Sequence, residues 1–133
     1  MRFTKITIIS SRKPSLNDIN EQLQWFGGTL GLFGIRDRDK SCFRIFIELV
    51  KNLKVDEPIS SDELAEKTGL SRGTVIHHVN KLMRSGIVTS ERTGYQLKVD
   101  KLEDLVNIIK DNVDRAFENL THVAKDLDKK LGL

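Results

Sequence analysis

The sequence contains few cysteines, prolines and aromatic residues, and it has no long hydrophobic run. Its single cysteine, Cys42, excludes an internal disulfide and fits a reducing compartment. The longest apolar stretch, residues 25–35, has eleven residues, four of them glycine. A bilayer span needs about 20. In the opening segment MRFTKITIIS, Lys5 and Thr7 interrupt the apolar residues, which argues against a signal peptide. We therefore expect a cytoplasmic protein without a membrane partner.

Neither sign of charge dominates, since 22 basic and 19 acidic residues give a net charge of +3. The distribution is uneven. Residues 1–14 and 71–99 each carry +4, whereas residues 15–70 carry −3 and residues 100–133 carry −2. A basic segment between two acidic ones suggests a surface for a polyanion. The length of 133 residues suits one globular domain with an appended helical arm.

Residues 1–36 predict a strand followed by a helix. Loosely alternating apolar and β-branched residues over 2–9 are typical of a short strand. Ser15 is a suitable N-cap for a helix over about 16–26, which the following glycines should end. The run WFGGTLGLFG (25–34) could line a small-molecule pocket, although close packing is the more common role. We expect this N-terminal unit to pack on the core or at a dimer interface.

Two helices follow in the pattern. Apolar residues at helical spacing predict the first over 39–53, with Asp37 or Asp39 as its cap. The segment SSDELAEKTG predicts a second, short helix that begins at Ser60 or Ser61 and ends at Gly69.

The next segment predicts a longer helix and a hairpin. Ser71 caps a helix over 72–85, which Gly86 ends. The segments IVTSER and YQLKV, joined by the turn Thr93-Gly94, predict a β-hairpin within 87–99. A short helix, a tight turn, a second helix and a hairpin form the winged helix-turn-helix plan. In that plan the second helix fits the major groove and the hairpin lies along the backbone. The predicted fold class is mainly α with a small β component, a winged helix-turn-helix over 37–99.

A resemblance to a known group supports this plan. The segment LAEKTGLSRGTVIHHVNKLMRSGIV resembles the winged helix-turn-helix transcription regulators of the ArsR-like and MarR-like group, especially archaeal members with a helical C-terminal extension. It extends over about 37–99, roughly half the chain, and implies DNA binding as a class. ArsR-like metal sensors carry cysteines near the first of the two helices, or acid and histidine ligands on the last. Here the first helix has no cysteine and the last has only His122 beside scattered acids, so we expect no metal and no cofactor.

The recognition helix carries adjacent histidines, His77 and His78, which point too far apart on a helix to bind one ion. At about 100° per residue, Val75, Val79 and Leu82 form an inner stripe that should face the core. His77 lies opposite this stripe and His78 lies beside it. We therefore expect His77 to face DNA and His78 to be a partly buried packing residue. The predicted DNA-contact residues are Ser61, Ser71, Arg72, Gly73, Thr74, Ile76, His77, Asn80, Lys81, Arg84, Arg92 and Thr93.

Side-chain chemistry suggests a role for several of these residues. Arg72 could donate two bonds to guanine, Asn80 could pair with adenine, and Ile76 could touch a thymine methyl. The resembling families often have serine or glutamine among the matching positions, so Ile76 departs from their pattern. Lys81 and Arg84 are expected at phosphates, as are the two serines at helix N-termini. Arg92 and Thr93 at the wing tip could enter the minor groove or follow the backbone.

The last segment, 100–133, predicts a long helix that Asp100 caps and that extends to about Lys130. Its apolar residues recur with the spacing of a coiled coil. One explanation is that the helix folds back on its own domain; we favour a homodimer interface. The predicted dimerisation residues are Leu102, Val106, Ile109, Val113, Ala116, Leu120, Val123 and Leu127.

Other functional classes find little support. Cys42 could be a redox thiol whose pKa Lys40 and Arg44 lower, but a buried structural cysteine is the commoner case. No phosphate-binding glycine loop and no catalytic constellation is recognisable, so we expect no enzyme. The predicted function is a homodimeric, sequence-specific regulator that binds double-stranded DNA in the cytoplasm, associated with the nucleoid. The alternative is a winged-helix protein-interaction module of a transcription or replication assembly. A regulator with a ligand pocket around 25–33 is compatible with the predicted function, and the sequence does not identify the effector.

Overall fold

The computed structural model describes residues 7–10, 12–15, 17–31 and 40–133. Within these ranges, no helix combines the length and hydropathy of a membrane span. The elements in chain order are α1 (Ile19–Thr29), α2 (Ser41–Lys51), a 3-10 turn (Asn52–Lys54), α3 (Ser61–Thr68), α4 (Arg72–Arg84), β1 (Val88–Glu91), β2 (Gly94–Leu97) and α5 (Leu102–Leu131). This mainly helical chain with a two-stranded antiparallel sheet confirms the predicted winged-helix fold class.

The N-terminal unit differs from its prediction. Residues 1–6 of the expected strand lie outside the described residues, and residues 7–10 form no strand. Helix α1 begins at Ile19, because the carboxylate of Asp18 accepts hydrogen bonds from the backbone N–H groups of Asn20 (2.9 Å) and Glu21 (3.3 Å). The prediction that Ser15 is the cap is therefore wrong; its hydroxyl accepts from the Asn17 N–H at 3.3 Å.

Helix α1 also continues beyond its predicted end, through Gly27 and Gly28 to Thr29. Gly27 is buried, so tertiary packing outweighs the low helix propensity of glycine. The Phe26 ring stacks on Phe46 of α2 with ring centroids 6.4 Å apart, and Leu30 also packs against the core. These contacts support the packing interpretation for residues 25–31. Residues 32–39 lie outside the described part, so the pocket hypothesis for this stretch stays untested.

Helix α2 supplies the centre of the core. Cys42, Ile45, Phe46 and Leu49 are almost completely buried, in agreement with the helical spacing of apolar residues in this segment. The N-cap position is Lys40, whose side chain makes no capping hydrogen bond. The predicted caps Asp37 and Asp39 lie outside the described residues, and neither occupies that position.

The helix-turn-helix forms as its local signals predict. Of the two candidate caps of α3, Ser60 fills the role, because its hydroxyl accepts from the Glu63 N–H at 3.1 Å. Gly69 ends α3 in the left-handed conformation, with φ of 71°. The hydroxyl of Ser71 then accepts from the Thr74 N–H at 3.1 Å and caps α4. The Arg44 guanidinium donates to the carbonyl of Thr68, which ties α2 to the end of α3.

The wing is a tight hairpin in which Val88 pairs with Leu97 and Glu91 pairs with Gly94. Its turn is therefore Arg92-Thr93, one residue earlier than predicted. A third segment joins the sheet at Ile59, which exchanges two backbone hydrogen bonds with Tyr95, at 2.8 and 2.9 Å. These bonds attach the hairpin to the chain just before α3.

Helix α5 begins at Leu102 behind the N-cap Lys101, which has no side-chain capping bond, so the prediction of Asp100 as the cap is wrong. The first turns of α5 belong to the domain core, where Leu105 is 0% and Ile109 is 6% exposed. From Asp114 to the C-terminus every residue is exposed. The helix therefore has a packed half and a projecting half.

Candidate nucleic-acid interface

Helix α4 has one face in the core and one in solvent. Val75, Val79 and Leu82 are at most 2% exposed, which confirms their assignment to the inner stripe. The opposite side, called here the outer face, consists of exposed residues: Gly73, His77, Asn80, Lys81 and Arg84. It carries two cationic side chains and no carboxylate, and a third cation, Arg72, is exposed at the N-terminal end of the helix. Thr74 and Ile76, also predicted to contact DNA, are half-buried at its edges.

The two histidines occupy the positions that helical geometry predicts. His77 is exposed on the outer face, whereas His78 is half-buried beside the core stripe. Their rings meet edge to face, with centroids 5.2 Å apart. In the described ranges, no group of three or more His, Cys, Asp or Glu side chains could hold a metal ion. His77 is exposed and presents an imidazole that can donate to a base or a phosphate.

The N-terminus of α4 is accessible to a ligand. The Ser71 hydroxyl donates to Thr74 Oγ1 at 2.8 Å while it caps the helix. A Cβ atom on Gly73 would meet nothing within 4 Å, so the first turn lies in open space. Backbone N–H groups at a helix N-terminus favour anions such as phosphate. Ser61 is the first residue of α3, one position after the N-cap Ser60, and it is half-buried.

Sequence reasoning missed one residue of this surface, Asp62. Its carboxylate oxygen Oδ1 lies 3.6 Å from Nε of Arg72. Both side chains are largely exposed, at 79% for Asp62 and 68% for Arg72. In the sequence Asp62 is only an acid in the first turn of a helix, because nothing local links it to a residue in the next helix.

The wing tip carries Arg92 and Thr93, both exposed, at the turn of the hairpin. The base of the hairpin is attached to α4, since the Ile87 N–H donates to the Leu82 carbonyl at 3.3 Å. Glu91, beside the tip, is exposed as well and reduces the local positive charge. The wing residues thus belong to a separate element, which lies next to α4.

The eight predicted dimerisation residues fall into two groups. Leu102, Ile109 and Val113 are buried or half-buried against the core of their own domain. Val106 is exposed, as are Ala116, Leu120, Val123 and Leu127 in the projecting half. The apolar residues of the projecting half form an exposed surface, called here the α5 stripe: Ala116, Phe117, Leu120, Val123, Ala124, Leu127 and Leu131. At about 100° per residue, the α5 stripe occupies roughly 120° of the helix circumference.

The thiol of Cys42 is completely buried in the core cluster with Ile45 and Phe46. This position favours the structural interpretation over a reactive thiol, since reactive cysteines are at least partly exposed.

Comparison with known proteins agrees with this architecture. Residues 43–89 match the model of a family described as winged helix-turn-helix DNA-binding. The matched segment runs from α2 through the helix-turn-helix into β1. No curated protein and no solved structure matches the chain. The match and the fold therefore agree on a winged helix-turn-helix unit, and the description of the family supports double-stranded DNA as a partner.

Proposed function

We propose that this protein is a transcription regulator that acts as a homodimer and binds double-stranded DNA sequence-specifically. The observation that carries the proposal is the division of α4, with an apolar face in the core and an outer face that is exposed and basic. That arrangement suits insertion of α4 into the major groove, with the wing on the backbone or in the minor groove. Such a protein would be found on the nucleoid, in the cytoplasm.

The exposed side chains of α4 suggest how bases are recognised. Arg72, at the first position of the helix, can donate a pair of hydrogen bonds to guanine. Asn80 lies further along the outer face and can pair with adenine, and His77 between them can donate to a base or phosphate. Ile76 is half-buried, which limits it to an apolar contact at the edge, such as a thymine methyl.

Phosphate contacts would position the helix in the groove. Lys81 and Arg84 are exposed near the end of α4 and can reach the backbone as point charges. The N-termini of α3 and α4, with Ser61 and Ser71, supply backbone N–H donors on the same motif. Arg92 and Thr93 would extend the contact through the wing.

We further propose that two copies pair through the α5 stripe. Five large apolar side chains in it are 48–68% exposed, a costly arrangement for an isolated chain in water. Pairing of two such helices would bury them and place two α4 helices on one DNA site.

The proposed domains are an N-terminal unit over 1–36, the winged helix-turn-helix over 37–99 and the dimerisation helix over 100–133. The motif of residues 64–88 supports membership of the ArsR-like and MarR-like group.

The test is binding of the full chain to mixed DNA fragments at several salt concentrations. Wild type should select a subset of fragments, with affinity falling steeply as salt rises, because phosphate contacts release counterions. The double variant Arg72→Ala/His77→Ala should lose this selection. The matched control is Arg115→Ala/His122→Ala, which removes the same residue types from exposed positions of α5 and should bind like wild type.

A folded, dimeric protein that binds no DNA at about 50 mM salt would contradict the proposal, since electrostatic binding is strongest at low salt. That outcome would favour the alternative, a winged-helix module that binds other proteins.

A further inference from the structure

The ion pair between Asp62 and Arg72 joins the two helices of the helix-turn-helix on the proposed DNA side. Asp62 is the second residue of α3 and Arg72 the first residue of α4, with Oδ1 and Nε 3.6 Å apart. The inference drawn from it rests on the proposed function, because it concerns how Arg72 is presented to DNA.

The pair contributes little to folding. Both side chains are more than two-thirds exposed, and exposed ion pairs are weakened by water and salt. The carboxylate also lies on a surface proposed to meet phosphates, where a negative charge lowers affinity for any DNA. A carboxylate at this position should therefore weaken non-specific binding, and the ion-pair partner of Asp62 in the structure is Arg72.

The geometry of the contact matters for base recognition. A guanidinium has a fixed planar fork of five N–H donors. Since Asp62 engages the Nε side, the two terminal nitrogens of Arg72 remain available at the other end of the plane. Those are the groups that form a bidentate pair with O6 and N7 of guanine. An arginine whose Nε side is paired with a carboxylate has fewer alternative orientations, and it is less free to turn its terminal nitrogens towards a phosphate.

We propose that Asp62 is a positioning residue for Arg72, which increases sequence selectivity while it lowers affinity for DNA in general. Removal of the Asp62 carboxylate should therefore lower sequence selectivity and raise the affinity for DNA in general. A carboxylate that interacted only with the positive N-terminal end of the α3 dipole would change the affinity for DNA but not the sequence selectivity.

The experiment compares Asp62→Asn with Glu66→Gln in the full-length protein. Glu66 is also exposed on α3, and no ion pair joins it to a cation among the described residues, so it reports the effect of charge alone. For each variant, Kd is measured for a fragment selected by wild type and for a scrambled duplex of equal composition, at the same salt. Thermal unfolding verifies that each variant is folded.

Both variants should bind the scrambled duplex about 2–5-fold more tightly than wild type, because each loses one negative charge. Only Asp62→Asn should lower the ratio of selected to scrambled affinity, by about tenfold, the order expected for a compromised bidentate pair. In an Arg72→Ala background, Asp62→Asn should leave that ratio unchanged.

Two results would overturn the inference alone: equal ratios for Asp62→Asn and Glu66→Gln, or a fall in the ratio that persists when Arg72 is absent. A wild-type protein that prefers no fragment would overturn the proposed function, and this inference with it.

Discussion

Gly94 is a wing residue whose backbone lies close to the chain just before α3. A Cβ atom added there would lie only 2.8 Å from the backbone nitrogen of Ser60 and would also collide with the carbonyl group of Ile59. Those are backbone atoms, held by the hydrogen bonds between Ile59 and Tyr95, so they cannot rotate away as a side chain could. A side chain at position 94 would therefore force the hairpin and the segment before α3 to move apart.

Gly94→Ala should therefore lower the free energy of unfolding by about 1–3 kcal/mol, the usual cost of forcing extra atoms into a packed site. Chemical denaturation measures the change. Gly73→Ala is the matched control, since a methyl group there meets nothing within 4 Å and alanine favours a helix. We expect it to leave stability unchanged or to raise it by up to about 1 kcal/mol. A Gly94 variant as stable as wild type would refute the argument from close approach.

Ser71 combines a structural role with a proposed phosphate contact, and two substitutions separate them. Ser71→Ala removes the acceptor for the Thr74 N–H and should cost about 1 kcal/mol of stability. Ser71→Asp retains a good cap and should stay close to wild type in stability. Its added negative charge should nevertheless weaken DNA binding, as measured by titration at fixed salt. Unchanged affinity in a folded Ser71→Asp variant would remove Ser71 from the DNA surface.

At the scale of elements, α5 has two halves with different environments. Leu105 is fully buried in the core, whereas Leu120 is 64% exposed in a single chain. Leu105→Ala should lower the unfolding free energy by about 2–5 kcal/mol, because it leaves a cavity. At concentrations where the protein is monomeric, Leu120→Ala should change it by less than about 0.5 kcal/mol. Equal losses in the two variants would mean that the projecting half also packs on its own domain.

Helix α5 also shows which structural features the sequence predicts and which it does not. Its apolar spacing predicted a long amphipathic helix correctly, but period alone does not specify the partner of an apolar face. Leu102 and Ile109 were predicted at a dimer interface, and both contact the core of their own domain. That choice depends on which faces of the other helices are left uncovered, and this information is not local.

The helix-turn-helix was more predictable, since its signals are local. Ser60, Gly69 and Ser71 each act within four residues along the chain, through caps and a left-handed turn. The start of α1 was less predictable, because Ser15 and Asp18 are both good capping residues and only the folded backbone determines which of them caps the helix. The contact between Asp62 and Arg72 depends on the angle between two helices, which no spacing pattern specifies.

At the scale of the whole molecule, the proposed dimer makes stability depend on concentration. Sedimentation velocity should show a monomer–dimer equilibrium, and Tm should rise with protein concentration because association stabilises the folded state. Leu120→Glu should yield a folded monomer, since it places a charge in the centre of the α5 stripe. The control His122→Glu lies about 200° further round the helix and should remain dimeric. A Leu120→Glu protein that is still dimeric would place the interface elsewhere.

Helix α5 is continuous from Leu102 to Leu131, so its packed half and its projecting half share one rotational phase. One residue inserted after Val113 would turn the α5 stripe by about 100° relative to the DNA-binding unit and move it by about 1.5 Å. Seven inserted residues would restore the phase to within about 20°. In the proposed dimer, this phase fixes the direction in which each α4 points away from its partner. An insertion there should change the preferred separation of DNA half-sites, while the contacts of α4 within each half-site stay the same.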